Sequence, residues 1–323
     1  MIADMHCDTL GMIRFLRKEG KAAELRGSGN LCVDLEKMKK GGYALQNFAV
    51  FVDMEECEDP HVDALELVRI FEEELAKNRD VIRQVRDASG IEANMRDGLL
   101  SAMLTLEEGG VCKGKPEYLH EFYEHGVRMM TLTWNFENEL GRPAALSPAS
   151  EYRPGAARAY GLTQTGFAFL EEMEHIGMII DVSHLSDDGF FDVFEHTKKP
   201  FVASHSNARS LCGHSRNLTD EMLRMLGERG GVAGINFCSE FLCGPGEDCR
   251  AAIAAHARHM VDLAGRESVG LGSDFDGCCL GNYPQDARDL DDLAWILERG
   301  GLGGAEIEGI LYKNVLRLYR EVL

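Results

Sequence analysis

The chain has 323 residues, 45% of them hydrophobic, and a formal net charge of −20 from 34 basic and 54 acidic side chains. That length and apolar content allow one large α/β domain or two smaller ones, and the acidic balance argues against nucleic acid or anionic lipid as a partner. No apolar run approaches the length of a bilayer span, no lipidation signal is present, and Asp4 interrupts the first apolar residues where a signal peptide would need them, so a cytoplasmic protein with no membrane partner is expected.

Residues 2–7 read as a short strand running into His6-Cys7-Asp8. Side chains alternate along a strand, so His6 and Asp8 should share one face while Cys7 turns away as a small buried hydrophobe. Further strands are expected over 44–51, 101–106, 128–133, 178–183, 201–204, 232–237 and 268–273. Between them lie helical patterns: a long charged one over 60–87, then 117–125, 163–177, 186–197, 219–227 and 251–264, with 286–299 and 304–322 closing the series. Eight strands alternating with helices predict an α/β fold, a closed (β/α)8 TIM barrel. No linker, repeat or low-complexity stretch divides the chain, so residues 1–323 are expected to be a single domain. The connection over 134–163 carries Pro143, Pro148 and Pro154 and reads as an ordered loop over one barrel end. Ten cysteines show neither metal-knuckle spacing nor a compact disulfide framework, in keeping with a reducing compartment.

In a β/α barrel the reactive groups sit at the C-terminal ends of the strands. Five of the eight expected strand ends carry a histidine or carboxylate: His6 and Asp8, Glu107 and Glu108, Asp181 and His184, His205, and Asp274 and Asp276. Each has an ordinary reading alone. Asp181 or Asp276 could cap a turn, and one of the two glutamates before Gly109-Gly110 could be a solvated loop residue. Histidines 61, 120, 125, 175, 196, 256 and 259 fall on helices or helix ends, where a solvated surface position is the default, and Met129 and Met130 read as core. The coincidence of five ends is what points to a divalent-metal site.

Several segments together resemble the membrane dipeptidase family, zinc peptidases of the metal-dependent amidohydrolase type. They are Asp4-Met5-His6-Cys7-Asp8, Leu106-Glu107-Glu108-Gly109-Gly110, the 126–133 strand, Ile180-Asp181-Val182-Ser183-His184-Leu185-Ser186, Ser204-His205-Ser206-Asn207-Ala208, Ser215-Arg216-Asn217 and Gly272-Ser273-Asp274-Phe275-Asp276-Gly277, in the family's order. The resemblance implies two Zn2+ per chain at the C-terminal barrel end. His6 and Asp8 would hold one ion, His184 and His205 the other, and Glu107 would bridge them, with Glu108 as the alternative. It also implies that Arg216 holds a substrate carboxylate and that Asp274 handles the catalytic proton.

Chemistry supports such an array. Hydrolysing an amide at neutral pH needs a strong nucleophile, and a pair of metal ions about 3.5 Å apart can lower the pKa of water to roughly 7. Arg216 offers a planar fork suited to a free C-terminus. One departure stands out: family members have a histidine directly after the Thr131-Leu132-Thr133 strand, whereas here Trp134 and then Asn135 occupy the substrate-binding position. An indole N–H can donate a hydrogen bond but carries no positive charge, and Asn135 or His214 could substitute. The leading expectation is a zinc dipeptidase cleaving dipeptides with a free C-terminal carboxylate and tolerating a C-terminal D-residue. The competing readings are an amidohydrolase of another amide or lactam, and a catalytically silent metal-binding scaffold. A monomer and a homodimer are both open.

Overall fold

The structure, a computed structural model, describes residues 1–27, 29–244 and 246–323. Its strands are β1 (Ile2–Asp4), β2 (Tyr43–Phe51), β3 (Ile82–Gln84), β4 (Leu100–Glu107), β5 (Val127–Thr131), β6 (Ile179–Asp181), β7 (Val202–Ala203), β8 (Val232–Ile235) and β9 (Val269–Leu271), all paired in parallel. The barrel closes because β2 pairs with β4 from Leu45↔Ser101 to Phe51↔Glu107, while β1 pairs with both β2 and β9. Along its other edge, β4 is shared: β3 takes the lower part at Leu100–Ala102 and β5 the upper part from Leu104 to Glu107. β3 therefore lies outside the eight-stranded ring, which is the expected TIM barrel.

Alternation along the strands sorts the core into two layers. Leu45, Met103, Met129 and Ile179 pack together in the barrel interior, and Phe48, Leu104, Met130 and Ile180 pack with the surrounding helices. Counting on by twos puts Phe51 and Glu107 on the inner face at the upper rim. Below, the helix Asn314–Val322 closes the barrel: Val315, Leu318 and Tyr319 join the interior layer, and Asn47 donates from Nδ2 to the Tyr319 hydroxyl at 2.7 Å.

Three expectations change. The pattern over 60–87 forms a helix only over Pro60–Lys77, followed by β3 and a second helix, Ala88–Asp97. The break comes at Asn78, whose side chain caps the Glu74 carbonyl at 2.8 Å, and the β-branched Val81 and Ile82 then leave for the sheet. Most strands, though not β2 or β4, also stop short of their expected ends, so His6 and Asp8 are not on a ladder: β1 ends at Asp4, Cys7 makes a lone bridge with Phe275, and Asp8 stands at the N-cap position of the helix Thr9–Lys18 without a side-chain capping bond. Cys7 is nonetheless fully buried and turned toward the Asn47 carbonyl. Finally, His256 is not a surface histidine. It is 1% exposed on the helix Cys249–Ala264, accepts from the Ala208 N–H at Nδ1 (3.1 Å) and donates from Nε2 to the Leu242 carbonyl (2.9 Å).

Burial pulls the His256 imidazole down to about 4, against about 6.5 in an unfolded chain. Its stabilising contribution is therefore complete above pH 6.5 and is lost as pH falls toward 4, because the unfolded chain takes up the proton first. Urea unfolding at pH 7 and pH 5 should show a component of about 2 kcal/mol from this residue. In His256→Gln, which keeps a donor and an acceptor, the drop between the two pH values should be smaller by that amount. An equal drop in both proteins would show that His256 does not stay neutral in the native state.

Candidate active site

Five side chains from four rim positions converge above the barrel interior. Glu107 lies at the centre, with Oε2 3.3 Å from His6 Nε2, and Oε1 3.0 Å from His184 Nε2 and 3.5 Å from His205 Nε2. Asp8 Oδ2 is 3.1 Å from His6 Nε2, the two imidazole Nε2 atoms of His184 and His205 are 3.1 Å apart, and the rings of His6 and His205 stack at 3.9 Å. The two oxygens of one carboxylate thus face two separate groups of donors. Backbone geometry at the rim is unusual as well: Glu108, His184, Asp274 and Asp276 hold φ between 61° and 89°, a region non-glycine residues rarely adopt and often occupy at functional sites.

The far nitrogens of two rings are held by acceptors. Asp181 receives hydrogen bonds from Thr131 Oγ1 (2.7 Å), from the Ser183 and Ser204 amides and from Ser204 Oγ (2.5 Å). With its only proton spent on Asp181, the Ser204 hydroxyl accepts from His205 Nδ1 at 2.8 Å. Similarly, Asn135 Oδ1 accepts from His184 Nδ1 at 3.1 Å. Both Nε2 atoms are left as bare lone pairs pointing at Glu107 Oε1.

Electrostatics records the crowding. Burial, and then the Glu107 charge, push the Asp8 carboxyl up to about 8. Burial opposes ionisation of Glu107 too, yet the charge of His6 beside it holds it well below the usual range. For His6, the charges of Glu107 and Asp8 outweigh burial and raise it well above normal. Burial and then Arg216 hold His184 down to about 4, and burial and then His6 hold His205 well below its usual value.

Glu108 turns the other way. Its Oε2 accepts from the Trp134 amide at 2.8 Å, and its Oε1 from the Gly110 amide at 2.6 Å and from Asn138 Nδ2, so it ties down the loop that follows β5. Asp276 is likewise structural, accepting from Thr9 Oγ1 (2.6 Å) and the Cys32 amide (2.7 Å). Asp274 points one oxygen to within 3.8 Å of His6 Nε2, and its other accepts from Asn236 Nδ2 at 2.9 Å. A cavity of about 620 Å³ opens over the array, bordered by Asp8, Glu107, His184, Asn135 and Asp274 and by the apolar Met12, Phe15, Phe51, Trp134 and Phe241. His214 does not border it; its Nδ1 accepts from the Arg216 amide instead. Arg216 lies buried beside the cavity, with its guanidinium 5.5 Å from the Phe241 ring. It donates only to Ser206 Oγ (3.3 Å) and the His205 carbonyl (3.2 Å), its Nε has no partner, and no carboxylate among the described residues pairs with it.

A family model described as membrane dipeptidase, peptidase family M19, matches residues 1–323. The chain belongs to this family. It is 33% identical to an uncharacterised dipeptidase of Schizosaccharomyces pombe over 99% of this chain and 80% of the relative. Among solved structures it resembles dipeptidase AC, a metallopeptidase of the same family, at a TM-score of 0.90 and 26% identity over 99% of this chain and 98% of the other. It matches equally well a metallopeptidase of Rhodobacter sphaeroides bound to a phosphinate mimic of the dipeptide L-Ala-D-Ala, at a TM-score of 0.90 and 25% identity, covering 100% and 99% of the two chains. As a family M19 chain the protein is a metal-dependent hydrolase of the dipeptidase type.

The residues at the barrel mouth suit a metal. Two imidazole lone pairs and a carboxylate oxygen meet with no proton between them, and Asp8 Oδ1 is buried without a hydrogen-bond partner. Cations seated among them would satisfy these groups. Gly277 reflects how tightly the array is walled, since a Cβ there would stand 2.0 Å from Asp8 Oδ2. Sequence reading passed over Ser204 and Asn236, neither of which is a ligand type; their only signal was their place beside His205 and at the end of β8.

Ser204→Ala removes the acceptor that fixes the His205 tautomer. Metal affinity, measured by chelator competition on folded protein, should fall about 10- to 100-fold. An unchanged affinity would show that Ser204 does not orient the ring.

Proposed function

We propose that this chain is a cytoplasmic dinuclear zinc dipeptidase that cleaves dipeptides with a free C-terminal carboxylate and tolerates a D-residue at the C-terminal position. The observation that carries the reading is the orientation of Glu107, whose two oxygens address His6 on one side and His184 and His205 on the other. In the proposal Glu107 bridges two ions, one also held by His6 and Asp8 and the other by His184 and His205. Two zinc ions in these positions would supply an acidified water and polarise the scissile carbonyl. Tolerance of a D-residue is supported by the related Rhodobacter sphaeroides enzyme and its L-Ala-D-Ala mimic, and the reducing compartment by ten cysteines that are all free.

The chain's own groups do the rest. Arg216 is a buried cation with unused donors, the complement of a substrate carboxylate. Burial lowers its pKa, while the charges of Asp274 and Glu107 pull it back. Asp274, held at one oxygen by Asn236, has the other free to take a proton and pass it to the departing amine. Trp134 walls the cavity beside Phe51 at 4.7 Å, and Asn135 both borders the cavity and supports His184 from behind.

Elemental analysis of zinc-loaded protein should give about two ions per chain, and the same preparation should hydrolyse free dipeptides while sparing their C-terminal amides. Comparable turnover of the amides would remove the role of Arg216, and a protein that binds no metal would remove the site.

Asp274→Asn keeps the shape and the contact with Asn236 but cannot accept the proton. Its kcat should fall about 100- to 10,000-fold at nearly full metal content. If zinc content falls in step with activity, Asp274 acts on the metal shell and not on the proton.

A further inference from the structure

The cavity is asymmetric. Arg216 lies on the His205 side, bonded to the His205 carbonyl at 3.2 Å and near Phe241. Asp8, on the opposite side, leads directly into the helix Thr9–Lys18, and Gly11, Met12 and Phe15 of that helix border the cavity. Residues three and four apart share a helix face, so these side chains form one surface with Asp8 at its base. Phe51 ends β2 and packs at a tilt against Trp134, ring centres 4.7 Å apart, continuing the same wall. Phe15 is 57% exposed, so its ring is open to a molecule entering the cavity it borders. No lysine or arginine borders the cavity among the described residues, whereas Asp8, Glu107, Glu240, Asp274 and Asp276 do.

We infer that Gly11, Met12, Phe15, Phe51 and Trp134 form the subsite for the side chain of the N-terminal residue, and that the enzyme selects dipeptides whose first residue is bulky and apolar. The inference rests on the reading above: with the C-terminal carboxylate at Arg216 and the scissile amide over Glu107, the first residue is carried toward Asp8 and the first helix. The aromatic wall removes an apolar side chain from water, whereas a charged one would have to give up its hydration against that wall. Gly11 sets the size of the subsite. A Cβ built there meets nothing within 4 Å, so the space in front of this helical glycine is open.

The test uses the full-length, zinc-loaded enzyme and a series of dipeptides sharing a C-terminal alanine. kcat/KM should be about tenfold or more higher for leucine and phenylalanine in first position than for glycine, and lowest for aspartate and glutamate. Gly11→Leu projects into the empty space and replaces glycine in a helix, so its thermal stability should match or exceed that of the parent. In this variant the preference should turn toward glycine and alanine, with the leucine-to-glycine ratio falling about tenfold. A second variant, Phe15→Ser, should lower the same ratio by removing wall in place of filling space. Dipeptide hydrolysis with no dependence on the first side chain, or a ratio unmoved by both substitutions, would overturn the subsite while leaving the dipeptidase reading intact. Hydrolysis of no dipeptide at all would overturn both.

Discussion

A carboxylate lies among three imidazoles within 3.5 Å in a place that water hardly reaches, and the design of the upper barrel follows from that constraint. Lone pairs that face one another repel, and burial removes the solvent that would screen them. Each group is therefore fixed from behind: His205 by Ser204 and through it Asp181, His184 by Asn135, and Asp274 by Asn236. These supports come from β5, β6, β7 and β8 or the residues just beyond them, which ties the rim together by polar bonds just above the point where the ladders stop. The positive φ values at His184 and Asp274 belong to the same requirement, since a left-handed turn directs a side chain back over the barrel mouth.

The two ends of the barrel divide the labour. At the lower end Tyr319, Val315 and Leu318 fill the interior with apolar contact and one buried hydrogen bond to Asn47, a seal with no charge in it. The buried cluster of ionisable side chains lies at the upper end. A packed lower half gives the rim a rigid base, which suits a site whose groups must stay in place while they repel one another.

Much of this was legible in the sequence because strand alternation and ligand chemistry are local. Met103 to Glu107 and Met129 to Thr131 carry the period of two openly, and His6, Asp8, Glu107, His184 and His205 are residues whose chemistry announces them. What escaped depends on contacts far along the chain. The Pro60–Lys77 helix stops at Asn78 because β4 offers an unpaired lower edge to residues 82–84, and nothing between 78 and 87 reports that vacancy. His256 sits on an amphipathic helix and looks solvated, but the Ala208 amide and the Leu242 carbonyl, 48 and 14 residues away, make it a buried staple. The choice between Glu107 and Glu108 also lay beyond sequence: which neighbour faces inward is decided by the register of β4 against β2 and by the left-handed turn at Glu108.

That turn has an evolutionary consequence. Glu107 and Glu108 are adjacent, yet one looks into the site and the other grips the Trp134 amide and Asn138. A single peptide unit therefore sets both the centre of the chemistry and the anchor of a cavity wall. Insertions or deletions between residues 107 and 110, or between 134 and 138, would disturb both at once. Exchanging side chains at positions such as 12, 15, 51 and 134 alters what the cavity accepts while leaving that shared backbone in place.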